Sequence, residues 1–376
     1  MAHTGVGQYS SHLISGLASL DRETAVFAYG APREPRPAWL PTAVTWRAPN
    51  APTSGRWRAM VSRTLTLRRE TSADAIDVFH APGVHVRASL PPVASVSCPV
   101  ITTVHDLIPV TFYGNTLSRR VRMFYRWNLR RALRSARVVT VSEAARNDIL
   151  AYAPDVRSRL NVIPNGVEFS PNPSSEAIAR LGVQKPFVLY AGSYEPRKNI
   201  ETAIDAYKQL LDAGFPHTLV AIVEAQSGHA RAVKEHLTAL KLGDRVRLVH
   251  GLAEAEIRAL YTHAEMLCFP SLAEGFGFPP LQAAACGVPV VCSDLPSTRE
   301  TIGDNALYVD TRNPRLLAAG MQRVLTDASL RARLTLGARD RARSFTWDRS
   351  VEAHVQLYEE VSRARRGAPA AIEAAG

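Results

Sequence analysis

Two adjacent cations, Arg197 and Lys198, stand where a chain can bind an anion. They follow a strand-like segment, Phe187–Tyr190, and a glycine turn, and they precede a helix predicted from Ile200. Their side-chain charges and the amides of the helix start point in the same direction, which makes a good receptor for a diphosphate. A solvated Arg-Lys pair in a loop is the alternative that these residues alone leave open.

A single carboxylate, Glu274, opens the stretch EGFGFPPLQAAACGVPVV. Gly275 and Gly277 let the backbone approach a ligand closely, and we expect the helix after Pro279-Pro280 to offer amides and a positive dipole end. A carboxylate beside such amides repels phosphate and is better suited to accept hydrogen bonds from hydroxyls. The pattern indicates a ligand with an anionic part and a polyol part; an ordinary acid at a helix start is the alternative.

A histidine, His105, ends the apolar segment Val100–Val104 and should project from the carboxyl edge of a sheet. A structural role is the alternative for a histidine at a strand end. The sequence contains no Asp-x-Asp triplet and no His, Cys and Asp cluster with ligand spacing. We therefore expect no metal site.

The elements that must position these residues belong to a chain of 376 residues, long enough for two domains. With 46% apolar and 21% charged residues, and no apolar run near the roughly 18 residues of a membrane span, a soluble globular protein is expected. Nothing at the start resembles a secretion signal, which favours the cytoplasm. The four cysteines lack paired spacing and are predicted to be buried free thiols.

Basic residues concentrate in the first half of the chain. Residues 1–180 hold 22 arginines, no lysine and 12 acids, within a total net charge of +11. Eight of the arginines lie between Ser118 and Arg137, interleaved with aromatic and aliphatic residues, which predicts an amphipathic helix. Three interpretations stay open: docking on an anionic membrane surface, contact with nucleic acid, and a core helix with a solvated face.

Short β-branched segments alternate with helical patterns, which is typical of parallel βαβ units. Six strands are predicted in the first half and six in the second, and turn residues near Asn165 to Gln184 mark the join. The predicted strands are Val26–Tyr29, Val44–Trp46, Asp77–His80, Val100–His105, Val138–Val141, Asn161–Ile163, Phe187–Tyr190, Thr218–Val223, Val246–Val249, Met266–Phe269, Val288–Cys292 and Ala306–Val309.

This pattern predicts an α/β protein with two doubly wound domains and a ligand site in the cleft between them. The predicted organisation is an N-terminal domain (1–170), a linker (171–184), a C-terminal domain (185–345), a helix that packs back on the N-terminal domain (346–366) and a disordered tail (367–376). No strand precedes the glycine loop Gly5-Val6-Gly7, so we expect that the chain starts late and lacks a first strand.

Six stretches occur in order along the chain: TTVHDLIPV, VVTVSEAARNDI, VIPNGV, VLYAGSYEPRKN, VRLVHGLAEAEIRALYTHAEMLCFPSLAEGFGFPPLQAAACGVPVV and FTWDRS. Together they resemble glycosyltransferase family 4 over roughly residues 3 to 365. The resemblance implies two facing Rossmann-like domains of the GT-B type with an inter-domain cleft, an N-terminal one on the acceptor side and a C-terminal one that binds the nucleotide sugar. The HDLIP segment is similar to mannosyltransferases of bacterial surface-polysaccharide synthesis.

The same resemblance implies roles for individual residues. Arg197 and Lys198 would grip the donor diphosphate with Ser193, and Glu274 would hold hydroxyls of the donor sugar. His105 would lie beside that sugar. The remaining implied contacts to the nucleotide sugar are the loop glycines Gly5 and Gly7, the amides around Phe276, Gly277 and Phe278, and Gln282 at the ribose.

Three residues depart from the family pattern. Gln282 replaces a second glutamate, and Glu224 and Ala225 stand where glycine is more usual, so we expect donor binding that is weaker or differently tuned. The predicted function is metal-independent, retaining transfer of a hexose, favouring mannose from GDP-mannose, to a glycan or lipid-linked acceptor, without a cofactor. A basic nucleic-acid-binding protein and a catalytically silent partner subunit are the alternatives.

Overall fold

Parallel strands separated by helices build both halves of this chain. The computed structural model describes residues 5–20, 24–30, 34–48, 66–84, 96–223 and 229–367. The chain divides into two units: unit 1 comprises Met1–Gly166 with Trp347–Gly376, and unit 2 comprises Val167–Thr346.

All described strands of unit 1 pair in parallel. They are β1 (Phe27–Tyr29), β2 (Thr45–Arg47), β3 (Phe79–Ala81), β4 (Val100–Thr103), β5 (Arg137–Thr140) and β6 (Leu160–Val162). The last four form one sheet in the order β3-β4-β5-β6, and β1 pairs with β2 in a separate ladder. All four residues of β4 are buried, as expected for an inner strand covered on both faces.

The helices that precede or connect these strands are α1 (Gly5–Ala18), α2 (Ile108–Thr111), α3 (Arg119–Ala132) and α4 (Glu143–Tyr152). Residues 66–73 are also helical, and Pro154–Arg159 forms a 3-10 turn. Ser118 and Ser142 cap α3 and α4, because each side-chain oxygen accepts a first-turn amide hydrogen.

Unit 2 contains one sheet of six parallel strands. They are β7 (Phe187–Ala191), β8 (Thr218–Ile222), β9 (Val246–Val249), β10 (Met266–Phe269), β11 (Val290–Ser293) and β12 (Ala306–Val309). Their order is β12-β11-β10-β7-β8-β9. The chain builds outward from β7 in one direction and then returns to build outward from β10 in the other. The doubly wound order therefore places its switch point between β7 and β10, where such sheets bind ligands.

Helices cover the sheet of unit 2. They are α5 (Ser175–Arg180), α6 (Ile200–Asp212), α7 (Ala230–Ala239), α8 (Glu254–His263), α9 (Phe278–Cys286), α10 (Pro296–Ile302), α11 (Pro314–Thr326), α12 (Ala328–Leu336) and α13 (Ala338–Arg343). Pro196–Lys198 and Gly243–Arg245 are 3-10 turns. The apolar residues of α6 recur at helical spacing and join those of α11 in one core over the strands.

The last helix, α14 (Trp347–Gly367), returns to unit 1 and packs against α1. A side chain at Gly16 would collide with Val351, so glycine permits the close approach of these two helices. On another face, Leu357 and Val361 join Ile101 and Val139 in a buried cluster with Ile163. The C-terminal helix thus contributes to the core of unit 1.

Some sequence-based boundaries differ from the observed ones. The segment that we assigned to a linker (171–184) contains α5, and Asn172 fixes its start to α8 through Thr262 and Ala255. Each predicted strand is present, displaced by at most two residues at an end. All four cysteines are buried free thiols, as predicted.

Candidate active site

The loops after β7 and β10 bring three predicted site residues together in unit 2. Tyr190 of β7 and Cys268 of β10 are paired in register, so the two strands end side by side. Arg197 and Lys198 lie in the first loop, and Glu274 lies in the second. The sheet's switch point therefore positions residues 76 positions apart in the chain at one edge.

These three side chains form a buried ion-pair cluster. Lys198 Nζ lies 2.5 Å from Glu274 Oε1, and Arg197 Nη1 lies 3.3 Å from the same oxygen. Only 9% of the Glu274 side chain and 11% of the Lys198 side chain are exposed. Arg197 also donates to Glu195 and to the carbonyl of Ala273, which fixes its guanidinium between the two loops.

The cluster perturbs the titration of its members. Burial alone would raise the pKa of Glu274, but the charges of Lys198 and Arg197 outweigh burial and hold that pKa below its usual value. Burial lowers the pKa of Lys198, and the Glu274 charge offsets this only in part. Glu274 is thus an ionised carboxylate at neutral pH, able to accept hydrogen bonds and unable to donate them.

A buried tyrosine shapes the loop that carries the two cations. The hydroxyl of Tyr190 donates to the carbonyls of Ser193 and Lys198, at 3.3 and 3.1 Å. A Cβ at Gly192 would approach that hydroxyl to 2.7 Å, so glycine leaves room for the tyrosine. Ser193 therefore lies in a loop whose path is set by strand β7.

Asn199 is a functional residue that our sequence reasoning missed. Its backbone is left-handed (φ 56°, ψ 42°), a conformation that asparagine tolerates better than most residues, and it links the 3-10 turn to α6. Its side-chain amide donates to the carbonyls of Pro270 and Thr311 at 3.2 and 2.9 Å. One buried side chain thus ties the loops after β7, β10 and β12 together. The signal in the sequence that could have identified this residue is an asparagine directly before a helical pattern.

The helix start near Glu274 differs from the prediction. We expected amides after Pro279-Pro280, but α9 begins at Phe278 and both prolines lie in its first turn, where they carry no N–H. Gly277 precedes the helix with φ 94°, a value that favours glycine. The rings of Phe276 and Phe278 contact edge to face, with centroids 5.1 Å apart. Any amide site for phosphate must therefore use residues 275–278.

Gln282 lies on α9, one turn after Phe278, and is partly buried. The glycine turn that follows Glu274 leads directly into this helix. Glu224 and Ala225, the other departures from the family pattern, lie outside the described residues.

His105 belongs to unit 1 and follows β4. Its Nε2 lies 2.8 Å from the carbonyl oxygen of Pro82, so this nitrogen carries the hydrogen. The ring of Tyr9 meets the His105 ring edge to face, with centroids 4.8 Å apart. The structure therefore groups Arg197, Lys198 and Glu274 in unit 2 and places His105 in the other unit.

The predicted glycine loop at the start of the chain is wrong. Gly5 and Gly7 lie inside α1, which begins at Gly5. Glycine weakens a helix least in the first turn, where the amides have no intrahelical partners in any case. A phosphate contact from this segment would have to come from a helix start and not from a loop.

The arginine-rich segment forms α3, which is shorter than the predicted Ser118–Arg137 because β5 begins at Arg137. Its buried side consists of Tyr125, Asn128, Leu129 and Ala132. Trp127, one of the interleaved aromatic residues that we expected on the apolar side of this helix, is 46% exposed, and Met123 is 60% exposed. The guanidinium of Arg131 lies over the Trp127 ring, 4.8 Å from its centroid.

The described residues contain neither a group of metal ligands nor a membrane-spanning helix. Among residues 5–20, 24–30, 34–48, 66–84, 96–223 and 229–367, no group of three or more His, Cys, Asp or Glu side chains could hold a metal ion. In the same part of the chain, no helix is long and apolar enough to cross a membrane.

Comparison with known families matches nearly the whole chain. The family described as Glycosyltransferase Family 4 matches residues 3–170, and the family described as Glycosyl transferases group 1 matches residues 173–341. The boundary between the two matches falls near the start of unit 2.

Two relatives of this chain are named as sugar-transferring enzymes. O-antigen chain mannosyltransferase B of Escherichia coli is 28% identical over 379 residues, covering 95% of this chain and 96% of that protein. D-inositol 3-phosphate glycosyltransferase of Xylanimonas cellulosilytica is 32% identical over 252 residues, covering 62% and 59%.

A solved structure shows the same fold. Sucrose-phosphate synthase from Thermosynechococcus elongatus superposes with a TM-score of 0.79 at 22% identity, covering 96% of this chain and 94% of that one. The predicted α/β class with two Rossmann-like domains of the GT-B type is thereby confirmed.

Proposed function

This chain belongs to family 4 of the glycosyltransferases, and we propose that it transfers mannose from GDP-mannose to a glycan or lipid-linked glycan of a surface polysaccharide. The predicted family and the enzyme class are confirmed. Donor, acceptor and stereochemistry are our proposal. Similarity to the O-antigen mannosyltransferase over nearly the full length supports mannose, together with the HDLIP segment.

The paired Glu274, Lys198 and Arg197 cluster is the observation that carries the proposal. A donor diphosphate would take hydrogen bonds from both cations, which then stabilise the leaving group as the bond from the anomeric carbon to the diphosphate breaks. The ionised Glu274 would accept hydrogen bonds from the sugar hydroxyls. The acceptor hydroxyl oxygen would form its bond to the anomeric carbon on the face that the diphosphate leaves, and its proton would pass to the departing diphosphate, so that configuration is retained.

Fixed cations at the switch point also support catalysis without a metal ion. Two buried side-chain charges act on the developing negative charge of the diphosphate, which is the task that a divalent cation performs in other transferases. No further cofactor is required for transfer of a glycosyl group between oxygen atoms.

A panel of nucleotide sugars tests the donor. The protein is incubated with GDP-mannose, GDP-glucose, UDP-glucose and UDP-N-acetylglucosamine, with EDTA and without it, and release of nucleotide diphosphate is measured. We expect slow hydrolysis of GDP-mannose above the other donors, unchanged by EDTA, and none with Lys198→Met. Turnover of UDP-sugars alone would contradict the donor assignment. Nucleotide binding without any turnover would favour a catalytically silent partner subunit.

We also propose that the exposed face of α3 docks on an anionic membrane surface, where a lipid-linked acceptor would be presented. Met123 and Trp127 are exposed among arginines, and α3 contains no acid. Two large apolar side chains surrounded by cations match the interface of an anionic bilayer, into which the apolar groups insert while guanidinium groups bind phosphates. The exposure of both apolar groups one helical turn apart on α3 favours docking over a core helix with a merely solvated face.

Co-sedimentation with vesicles tests this surface. We expect binding to vesicles with 30 mol% phosphatidylglycerol, none to pure phosphatidylcholine, and loss of binding in Met123→Ala/Trp127→Ala. Leu336→Ala is the matched control, since Leu336 is an apolar residue of α12 that is 85% exposed. Equal loss in both variants would contradict the proposal, and equal binding to double-stranded DNA would favour a nucleic-acid partner.

A further inference from the structure

Five side chains from four elements form a polar cluster inside unit 1. They are Tyr9 of α1, His80 of β3, Thr103 of β4, and His354 and Tyr358 of α14. Tyr9, Thr103 and His354 are each 0% exposed. Nothing in the proposed chemistry uses these residues, and separations such as the 345 positions between Tyr9 and His354 hide them from a local pattern.

Successive hydrogen bonds connect the five side chains. Tyr358 Oη lies 2.6 Å from His80 Nδ1, and His80 Nε2 lies 2.8 Å from Thr103 Oγ1. Thr103 Oγ1 lies 2.8 Å from Tyr9 Oη, which lies 2.8 Å from His354 Nε2. His354 Nδ1 lies 2.7 Å from the backbone carbonyl oxygen of Ser350. The series begins and ends on α14.

The carbonyl at the end of the series fixes the direction of every bond. A carbonyl oxygen only accepts, so His354 carries its hydrogen on Nδ1, and in the neutral ring Nε2 must accept from Tyr9. The Tyr9 oxygen then accepts from Thr103, whose own oxygen accepts from His80 Nε2–H. His80 Nδ1 therefore accepts from Tyr358.

The environment keeps the participants in the protonation states that this order needs. Burial lowers the pKa of His354 to about 4, and burial with the nearby His354 and His105 lowers the pKa of His80 well below its usual value. Burial also raises the pKa of Tyr9 and of Tyr358 above the usual value. Both imidazoles are neutral and both phenols are donors at pH 7.

His105 contacts two residues, Tyr9 and Pro82, whose positions depend on this series. Tyr9, whose hydroxyl is fixed at both sides, packs its ring on the His105 ring. Pro82, whose carbonyl accepts from His105 Nε2, follows His80 by two residues. We propose that α14 sets the position and tautomer of His105 through this directional series, which makes His354 and Tyr9 positioning residues for sugar transfer.

The proposal rests on the proposed function only in assigning His105 to the reacting sugar. Small displacements of a group at the reacting centre lower turnover by about ten- to a hundredfold, while nucleotide contacts in unit 2 stay intact. We therefore expect His354→Leu and Tyr9→Phe to lower kcat and to leave the KM of the donor unchanged. His354→Gln offers an acceptor oxygen near the position of Nε2, and we expect it to retain most of the activity.

Leu357→Ala is the matched control. Leu357 lies on the same helix in the apolar cluster with Ile101 and Val139; Tyr358 packs against this cluster, but the Leu357 side chain makes none of the hydrogen bonds of the series. This variant loosens the docking of α14 without removing any hydrogen bond of the series. A kcat that falls equally in Leu357→Ala and His354→Leu, at a temperature where circular dichroism shows both folded, would overturn the proposal.

Nitrogen NMR of the imidazole groups tests the series independently of catalysis. In the wild type, Nδ1–H of His354 and Nε2–H of His80 and His105 should be observed, and Tyr9→Phe should shift the His105 signals while leaving those of His217 in unit 2 unchanged. His105 signals that do not respond to Tyr9→Phe or His354→Leu would refute the proposal even if the protein transfers sugar. A response without any sugar transfer would leave the series supported and the proposed function wrong.

Discussion

Lys198 and Glu274 form an ion pair that is almost fully buried, although the two residues come from different loops. Each controls the charge of the other, since the pKa of Glu274 falls because of Lys198 and Arg197. A diphosphate entering this cluster must therefore exchange for a carboxylate that already holds both cations. Loss of the carboxylate and loss of a cation should therefore have opposite effects on the binding of phosphate.

Glu274→Gln should destabilise unit 2 and strengthen the binding of a nucleotide diphosphate. Removing the carboxylate leaves the buried Lys198 without its ion-pair partner and Arg197 paired only with Glu195, which costs about 3–5 kcal/mol in the free energy of unfolding. A nucleotide diphosphate supplies the missing negative charge, so it should raise the Tm of Glu274→Gln more than that of the wild type. Thermal unfolding with and without GDP measures both effects. A smaller Tm shift in the variant would show that Glu274 itself supports nucleotide binding.

Arg197→Ala should lower kcat/KM for the donor. Charge-assisted hydrogen bonds to phosphate are worth about 1.5–3 kcal/mol each, which corresponds to a roughly ten- to hundredfold loss. Steady-state kinetics with GDP-mannose gives the ratio. Arg231→Ala is the control, because Arg231 is a surface residue of unit 2 that pairs only weakly with Glu235. An unchanged ratio in correctly folded Arg197→Ala would remove this residue from the site.

Gln282→Glu should tighten donor binding. A carboxylate accepts from both hydroxyls of a ribose diol, whereas an amide provides one acceptor oxygen. The difference of about 1–2 kcal/mol predicts a five- to thirtyfold lower donor KM with kcat nearly unchanged, because the ribose is remote from the breaking bond. Donor KM and the Kd for GDP are the measurements. Weaker binding would show that a second carboxylate near Lys198 and Glu274 repels the diphosphate.

Asn199 offers a test with two substitutions. Asn199→Gly keeps the left-handed backbone and loses the bonds to Pro270 and Thr311, so the free energy of unfolding should fall by about 1–3 kcal/mol. Asn199→Ala also strains the left-handed backbone and should lose about 1 kcal/mol more. Denaturant titration of both variants gives the two values. Equal stability of the variants would mean that residue 199 leaves the left-handed region once the amide is lost.

Acid should destabilise the protein through His354. At a pH above 6.5, the usual pKa of histidine, His354 is neutral in the folded and in the unfolded chain. Between pH 6.5 and about 4, only the unfolded chain binds the proton. Stability is therefore lost as the pH falls through this window, by about 3 kcal/mol for this residue. Urea unfolding of wild type and His354→Gln at several pH values isolates the effect, since other groups cancel. Parallel pH profiles would contradict it.

The strands and the grouping of Arg197 with Lys198 and Glu274 could be predicted from the sequence. Runs of β-branched residues mark strands locally, and the doubly wound order then places the ends of β7 and β10 together. The position of Trp127 could not be predicted, because hydrophobicity does not reveal which side of a helix remains uncovered.

Contacts between side chains that lie far apart in the sequence could not be predicted either. The bond from Tyr9 to His354 and those from Asn199 to two other loops depend on tertiary packing, which leaves no periodic signal in the sequence. The loop that we predicted at the glycines of α1 was wrong for a different reason: glycine permits a loop but does not require one.

The division of unit 1 into two stretches of chain has a consequence during synthesis. The ribosome delivers α14 after every residue of unit 2, so β7 to β12 can pair while Ile101, Val139 and Tyr9 still await their partners. A nascent chain that has just reached Thr346 would hold a completed second sheet beside an open first one. Chaperones and proteases would meet the apolar and polar surfaces that α14 later covers, and unit 1 would close only after α14 has left the ribosome.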